Sequence, residues 1–274
     1  MRELSVIMAT YNEKLTFLQS CINSILNQTV KDFEFIITVE PDETNLDFLE
    51  SVAKIDSRVR VLKNKSRLGV AGSRNRAIME SSGKYIAIID GDDYCDPNRF
   101  ERQLKFFKDN PEISVVGTNM HLVDGNNELV GERKYPELHK DIKRHFLLTM
   151  AVGNPTVMVR RKDLEEIGLF NSDFLKAEDL ELWLRFLVKD KRMHNLQESL
   201  VYYRIQGNQN AKRGNVHWKN IYIARKKYSK FIWPFYQRFL SLFSCFIISL
   251  IPDNFLDGLL NLKIVNKIKN ISMN

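Results

Sequence analysis

The first half of the chain switches repeatedly between two hydrophobic periods. Leu4-Ser-Val-Ile-Met-Ala9 is a nearly continuous apolar run, as in a buried strand, and Leu15, Leu18, Ile22, Ile25 and Leu26 then recur at helical spacing. Residues 33–39 and 59–62 read as two further strands, 71–80 as a helix and 85–89 as another strand. Asp96-Pro97 supplies an N-cap with proline at the first helical position, and the helix it opens carries Phe100, Leu104 and Phe107. Residues 113–118 close the series as a strand. Such alternation predicts an α/β domain with a mixed, mainly parallel sheet flanked by helices. The second half is less regular, with a strand at 156–159, a helix at about 179–188 and a strand near 200–203. No Gly/Ser-rich linker and no internal repeat interrupts it. The reading is of one body, residues 1–208, and a helical appendage, 209–274.

Composition narrows the class. Of 274 residues, 44% are apolar and 11% aromatic, enough for a sizeable core and unlike a disordered or collagen-like chain. Cys21, Cys95 and Cys245 lie far apart with no CxxC pair, which argues against a disulfide framework or structural zinc and fits a reducing cytoplasm. The five histidines show no metal-ligand spacing. The apolar run 4–9 is shorter than a secretory h-region.

Charge is unevenly placed. Residues 204–274 hold 12 of the 41 Lys and Arg but only Asp253 and Asp257 of the 34 acids, so the body is slightly acidic and the tail strongly basic. A nucleic-acid binder carries its basic surface on the folded domain, so nucleic acid is not the expected partner. From Phe239 to Pro252 the tail runs 14 residues without charge. A spanning helix needs about 20. The expectation is an interfacial or re-entrant segment on an anionic membrane surface, with Trp233, Tyr236 and the lysines at headgroup level. A buried helix or a dimer contact is the alternative, and oligomeric state is not set by the sequence.

Candidate chemistry sits at a strand end. Asp90-Gly91-Asp92-Asp93 directly follows the strand at 85–89, and ligands of open parallel sheets bind outside the carboxyl ends of strands. In extended backbone Asp90 and Asp92 point one way and Asp93 the other. Two carboxylates on one side make an oxygen-rich cradle for a hard divalent cation, Mn or Mg, completed by diphosphate oxygens and water.

Several segments together resemble the family 2 inverting glycosyltransferases, of the GT-A fold. Ser5-Val-Ile-Met-Ala-Thr-Tyr-Asn-Glu13 is similar to that family's opening strand and nucleotide loop, and Ser24-Ile-Leu-Asn-Gln-Thr29 to its first-helix ending. The run from Arg67 to Ile78 resembles its Gly-rich turn and Arg-Asn helix. Tyr85 to Pro97 resembles its Asp-x-Asp segment, Ala177 to Trp183 its Glu-Asp motif, and Tyr202-Tyr-Arg204 its closing motif. The match covers about residues 3–208, with a nucleotide-binding half at about 1–118 and an acceptor half at about 119–208.

The resemblance implies an enzyme that moves a sugar from a nucleoside-diphosphate donor, a UDP-sugar first among them, to a hydroxyl of a glycan or lipid-linked glycan. Tyr11 would stack on the base beside Thr10, and either Glu40 or Asp42 would accept from its N–H, because the usual Asp-Asp is replaced by Val39-Glu-Pro-Asp42. Arg67 and Arg74 are candidates for the nucleotide or its phosphates. The turn between them is neither GxGxxG nor a P-loop, which argues against a dinucleotide enzyme or an NTPase. Asp92 and Asp90 would hold the metal, with Asp90 also near the nucleotide. Asp179 would be the base, with Glu178 beside it. Asp93, Asn154 and Arg204 are possible acceptor or diphosphate contacts. Gln206 replaces a usual histidine, which leaves charge help there to Arg204 or Lys212. Such an enzyme is expected in the cytoplasm, peripheral on the inner face of the membrane. The rival readings are a non-catalytic membrane-surface scaffold and a sugar-nucleotidyltransferase.

Overall fold

The computed structural model describes residues 2–205 and 209–250, with the side chains of 209–215 and 247–250 left aside. Gln206, Lys212, Arg213 and the end of the uncharged run therefore lie outside the described groups. The chain runs β1 (Leu4–Thr10), α1 (Leu15–Leu26), β2 (Phe33–Val39), α2 (Leu46–Ile55), β3 (Val59–Lys63), α3 (Gly69–Met79), β4 (Tyr85–Asp90), β5 (Tyr94–Cys95) and α4 (Arg99–Asp109). It continues with β6 (Ile113–Val123), β7 (Leu129–Arg133), α5 (His139–His145), a 3-10 turn (Asn154–Thr156), β8 (Met158–Arg160), α6 (Arg161–Ile167), α7 (Glu178–Val188), β9 (Arg192–Arg204), α8 (Gln209–Ile232) and α9 (Phe235–Leu250).

The strands form one 9-stranded sheet in the order β3-β2-β1-β4-β8-β6-β9-β5, with β7 on β6. β3, β2, β1, β4, β6 and β9 share one direction, and β5, β7 and β8 run against them. β1, β2 and β4 are buried on both faces, which is why they read as continuous apolar runs. Alternate residues feed two cores. Val6 and Met8 of β1 and Ala87 and Ile89 of β4 pack with α1 and α4 on one side. Ile7, Ile86 and Ile88 pack with α3, α5, α6 and α7 on the other.

α8 belongs to this second core. Ile221, Ala224, Tyr228 and Ile232 form a buried stripe at helical spacing. Burying each large apolar side chain is worth about 1.5–3 kcal/mol, so the stripe holds α8 firmly on the body. Trp233, expected at headgroup level, is instead 6% exposed, and its indole donates to Lys143 O at 3.2 Å. The sequence showed an aromatic beside lysines but not the carbonyl that receives it. Among the described residues no helix is long and apolar enough to cross a membrane.

Asp96 stays outside its helix. Its backbone carbonyl accepts from Arg99 N at 3.1 Å and its carboxylate from Asn98 N at 2.8 Å, and α4 begins at Arg99.

Candidate active site

β1 and β4 lie side by side in parallel, with Ala9 opposite Asp90, so their carboxyl ends bring Thr10, Tyr11 and the acidic turn 90–93 to one edge. Gly91 permits the approach, since a Cβ there would stand 3.0 Å from Thr10 Oγ1. That hydroxyl is buried and has no hydrogen-bond partner.

The surface beyond the end of β1 is built from three chain segments. Tyr11 is 39% exposed at the end of β1, and its hydroxyl donates to Asp42 Oδ2 at 2.9 Å. Arg67 pairs with the same carboxylate and lies 4.8 Å from the centre of the Tyr11 ring. The Arg67 hydrogen bond holds the Asp42 carboxyl below its ordinary range, while the bond to Asp42 raises the Tyr11 phenol. Glu40 differs from the base contact considered for it. It is buried, and its carboxylate accepts from the backbone N–H groups of Leu68 and Gly69 and from Ser73 Oγ. It therefore ties the turn of Arg67 to β2, with Gly69 taking φ +67° at the start of α3. Of the two acids, Asp42 is the one at the surface.

Sequence reading assigned no role to Glu43 or Asn12, although both shape this loop. Glu43 accepts from Asn12 N at 2.8 Å and from Asn45 N at 2.9 Å, and Asn12 takes φ +53°. An Asn followed by acids around position 43 carries no distinctive sequence signal.

Three acidic side chains stand at the end of β4 and just after it, and they are not equivalent. Asp90 and Asp92 are partly exposed, whereas Asp93 is fully buried. Asp93 Oδ1 accepts from the backbone N of Arg204 at 2.9 Å, and Oδ2 has no partner. Burial, then the charges of Asp92 and Asp90, push the Asp93 carboxyl well above the carboxylate range. It is a tie between the acidic turn and β9 rather than an acceptor or diphosphate contact. Arg204 is likewise turned inward. It is 1% exposed, donates from Nε to Asp92 O and from Nη1 to Asp124 O, both at 2.9 Å, and lies 3.9 Å from the centre of the Phe17 ring. Its guanidinium holds the turn that carries Asp92.

Arg74 is the hub of the cleft. It is 5% exposed and donates to Asp90 Oδ1 at 2.6 Å and to Glu178 Oε1 at 3.2 Å. With the Asn154 amide turned so that its oxygen faces the guanidinium, that oxygen accepts from both terminal nitrogens at 3.2 Å. The strand-end acid, the first residue of α7 and the 3-10 turn thus converge on one cation. The next residue of the motif pins the loop before α7, with Asn75 Nδ2 donating to Phe170 O and Phe170 N donating back to Asn75 Oδ1.

Glu178 and Asp179 occupy the first turn of α7, where the helix dipole favours negative charge. Burial, followed by repulsion from Asp179, nevertheless raises the Glu178 carboxyl to about 7 against the pull of Arg74. Asp179 is partly exposed and accepts from Leu180 N at 2.7 Å.

The donor set also bears on a metal. Among the described residues no three His, Cys, Asp or Glu side chains are grouped to hold an ion by themselves. Asp90 and Asp92 are two hard oxygen donors, and two carboxylates suit a Mg²⁺ or Mn²⁺ ion that takes its remaining ligands from substrate phosphates and water.

A strand-end acid turn facing a helix-borne carboxylate pair across a Rossmann-like sheet is the layout of a GT-A glycosyltransferase. The sequence profile described as Glycosyl transferase family 2 matches residues 5–168, and the chain belongs to that family. It is 32% identical over 276 residues to the uncharacterised glycosyltransferase MJ1057 of Methanocaldococcus jannaschii, across 95% of this chain and 93% of that one. It is also 32% identical over 184 residues to the Escherichia coli UDP-Glc:alpha-D-GlcNAc-diphosphoundecaprenol beta-1,3-glucosyltransferase WfgD, across 67% of this chain and 69% of that one. The fold superposes on the mannosyltransferase PcManGT from Pyrobaculum calidifontis, in complex with GDP-Man and Mn²⁺, with a TM-score of 0.66. The two share 13% identity over 94% of this chain and 72% of that one. The chain is therefore a glycosyltransferase.

Proposed function

We propose that this glycosyltransferase works with inversion, moving a hexosyl or N-acetylhexosaminyl group from a nucleoside-diphosphate sugar to a hydroxyl of a glycan or lipid-linked glycan. The observation that carries the reading is the Arg74 bridge, which holds Asp90 of the donor side and Glu178 of the acceptor side on one guanidinium. A UDP-sugar is the donor favoured, on the likeness to WfgD, whose name specifies UDP-Glc and a diphosphoundecaprenol-linked sugar. The GDP-Man bound by PcManGT makes guanine the base to test against it.

Each group has a part in a direct displacement. Tyr11 offers a ring to the base, and Asp42 a carboxylate to its N–H groups, while Arg67 holds both in place. Asp92, helped by Asp90, would hold a divalent cation. That cation supplies Lewis-acid neutralisation of the leaving diphosphate. Asp179 takes the proton of the acceptor hydroxyl as its oxygen bonds to the anomeric carbon and the bond from that carbon to the diphosphate oxygen breaks. Glu178 and Asn154, both on Arg74, orient the acceptor side.

The test is a donor screen by release of nucleoside diphosphate, run with Mn²⁺ or Mg²⁺ and with excess chelator. Release from one nucleotide sugar is expected, lost in chelator and nearly abolished in Asp92→Asn with the fold intact. Full activity in excess chelator removes the metal from the reading. A folded protein that releases nucleoside diphosphate from no donor would be a scaffold. One that releases pyrophosphate from a nucleoside triphosphate and a sugar phosphate would be a nucleotidyltransferase.

A further inference from the structure

We propose that α9, with the adjoining end of α8, is a docking face for the interface of an anionic lipid bilayer. α9 presents its side chains the wrong way round for a core helix. The groups it buries are small and polar. Ser241 donates to Leu147 O at 2.6 Å, and Cys245, 2% exposed, receives Arg225 Nη1 at 3.0 Å. The groups it turns outward are large. Phe235, Tyr236, Phe239, Leu240, Phe243 and Phe246 are 46–72% exposed. They repeat at about four-residue steps, so they make one continuous strip along the helix. Surface helices of globular proteins turn their bulky apolar stripe to the core. An apolar strip of this size facing out marks an interaction surface.

The charges around the strip choose the occupant. Arg238 lies 5.5 Å from the Phe235 ring centre, Lys230 4.7 Å from that of Phe231, and Lys226 5.9 Å from that of Tyr222. The sequence has no Asp or Glu from 206 to 251. A two-fold contact between copies sets a patch against itself and here would bring cation to cation. An anionic headgroup layer over an apolar interior complements both the charge and the strip. The uncharged run that begins within it, 239–252, is 14 residues against the about 20 a spanning helix needs, so α9 would lie in the plane of the interface.

The face is also wired to the cleft. Nearer the start of α8, Asn220 donates to Leu175 O at 2.8 Å and His217 meets Lys176 O, three and two residues before Glu178. Tyr228 donates to Glu181 in the first turn of α7. A bilayer under α9 would therefore hold the base-bearing helix at a set height, within reach of an acceptor carried by a lipid.

The experiment uses the full chain. It is sedimented with phosphatidylcholine vesicles, with and without phosphatidylglycerol, at low and high salt. Binding to the phosphatidylglycerol vesicles at low salt is expected, weakened by at least about tenfold in high salt or without the anionic lipid. The paired change Phe239→Ser with Phe243→Ser, and separately Lys230→Glu with Arg238→Glu, should each lower binding by about the same factor. The four side chains are on the surface, so melting temperature and nucleoside-diphosphate release on a water-soluble acceptor should stay unchanged. That release also separates this proposal from the glycosyltransfer reading, since either can fail alone. A full chain that stays in the supernatant with anionic vesicles at low salt overturns the proposal. So does a dimer in solution that the Phe239/Phe243 pair dissolves, which would make the face a contact between copies.

Discussion

Glu178 and Asp179 carry the most specific consequences. Replacing Asp179 by Asn should lower the transfer rate roughly 10²–10⁴-fold, the usual worth of general-base help, with donor affinity little changed. Titration of donor binding alongside turnover checks this, and an equal loss of affinity would make Asp179 a nucleotide ligand. Glu178 gives a pH signature. Its carboxyl is raised from an ordinary 4.5 to about 7 because burial and Asp179 disfavour its charge. The stability linked to the protonated form is thus fully present below about pH 4.5 and lost as pH rises through about 7. Glu178→Gln keeps an acceptor for Arg74 without the charge. Its melting temperature should match that of the wild type in acid, pull ahead between these two values, and keep its lead above them. Parallel melting curves from pH 4 to pH 9 would show that burial does not raise this carboxyl. At this same scale the sequence was least able to tell ligand from tie. Asp92 and Asp93 are neighbours of identical chemistry, yet one is partly exposed and the other buried against a backbone N–H from β9, 111 positions away. Adjacency along the chain does not say which carboxylate meets water. Glu40 and Arg204 show the same limit, since most of their hydrogen bonds go to backbone groups, which no motif records.

Elements were legible where one period dominated. β1, β2 and β4 are buried on both faces, and α1 and α4 carry clear apolar stripes, so local pattern and final environment agree. The misses have physical causes. α2 buries only Leu49 fully, so its stripe is narrow. β9 runs 13 residues from Arg192, but its middle is polar and partly exposed, and only its apolar end near 200–203 read as strand. Its register on β6 shifts at Thr118/Asn119 and again at Asn119/Met120, which breaks the two-residue alternation on which a reading relies. The residues 154–156 form a 3-10 turn whose position is set by Asn154 facing Arg74, a partner 80 residues earlier. The motif segments themselves lie at strand ends and helix starts.

At the scale of the whole molecule, composition and charge change near residue 208, yet α8 beyond it completes the core beneath α7. Buried Tyr228 reaches Glu181, Arg225 reaches Leu147 O, and Trp233 reaches Lys143 O. A chain ending at 208 should therefore lose soluble yield and run as aggregate on gel filtration, whereas the full chain should not. A monomeric, cooperatively melting 1–208 fragment would show the body complete without α8. The same contacts have a consequence for biosynthesis. The ribosome delivers the chain from its N-terminus, and domains fold as their residues emerge. The donor half can close early, since its strands lie close together in sequence. α7 stays bare on its α8 side until Trp233 has left the exit tunnel, so until then the nascent chain shows an oily flank to chaperones and neighbouring chains, and a pause in translation over α8 would prolong that exposure.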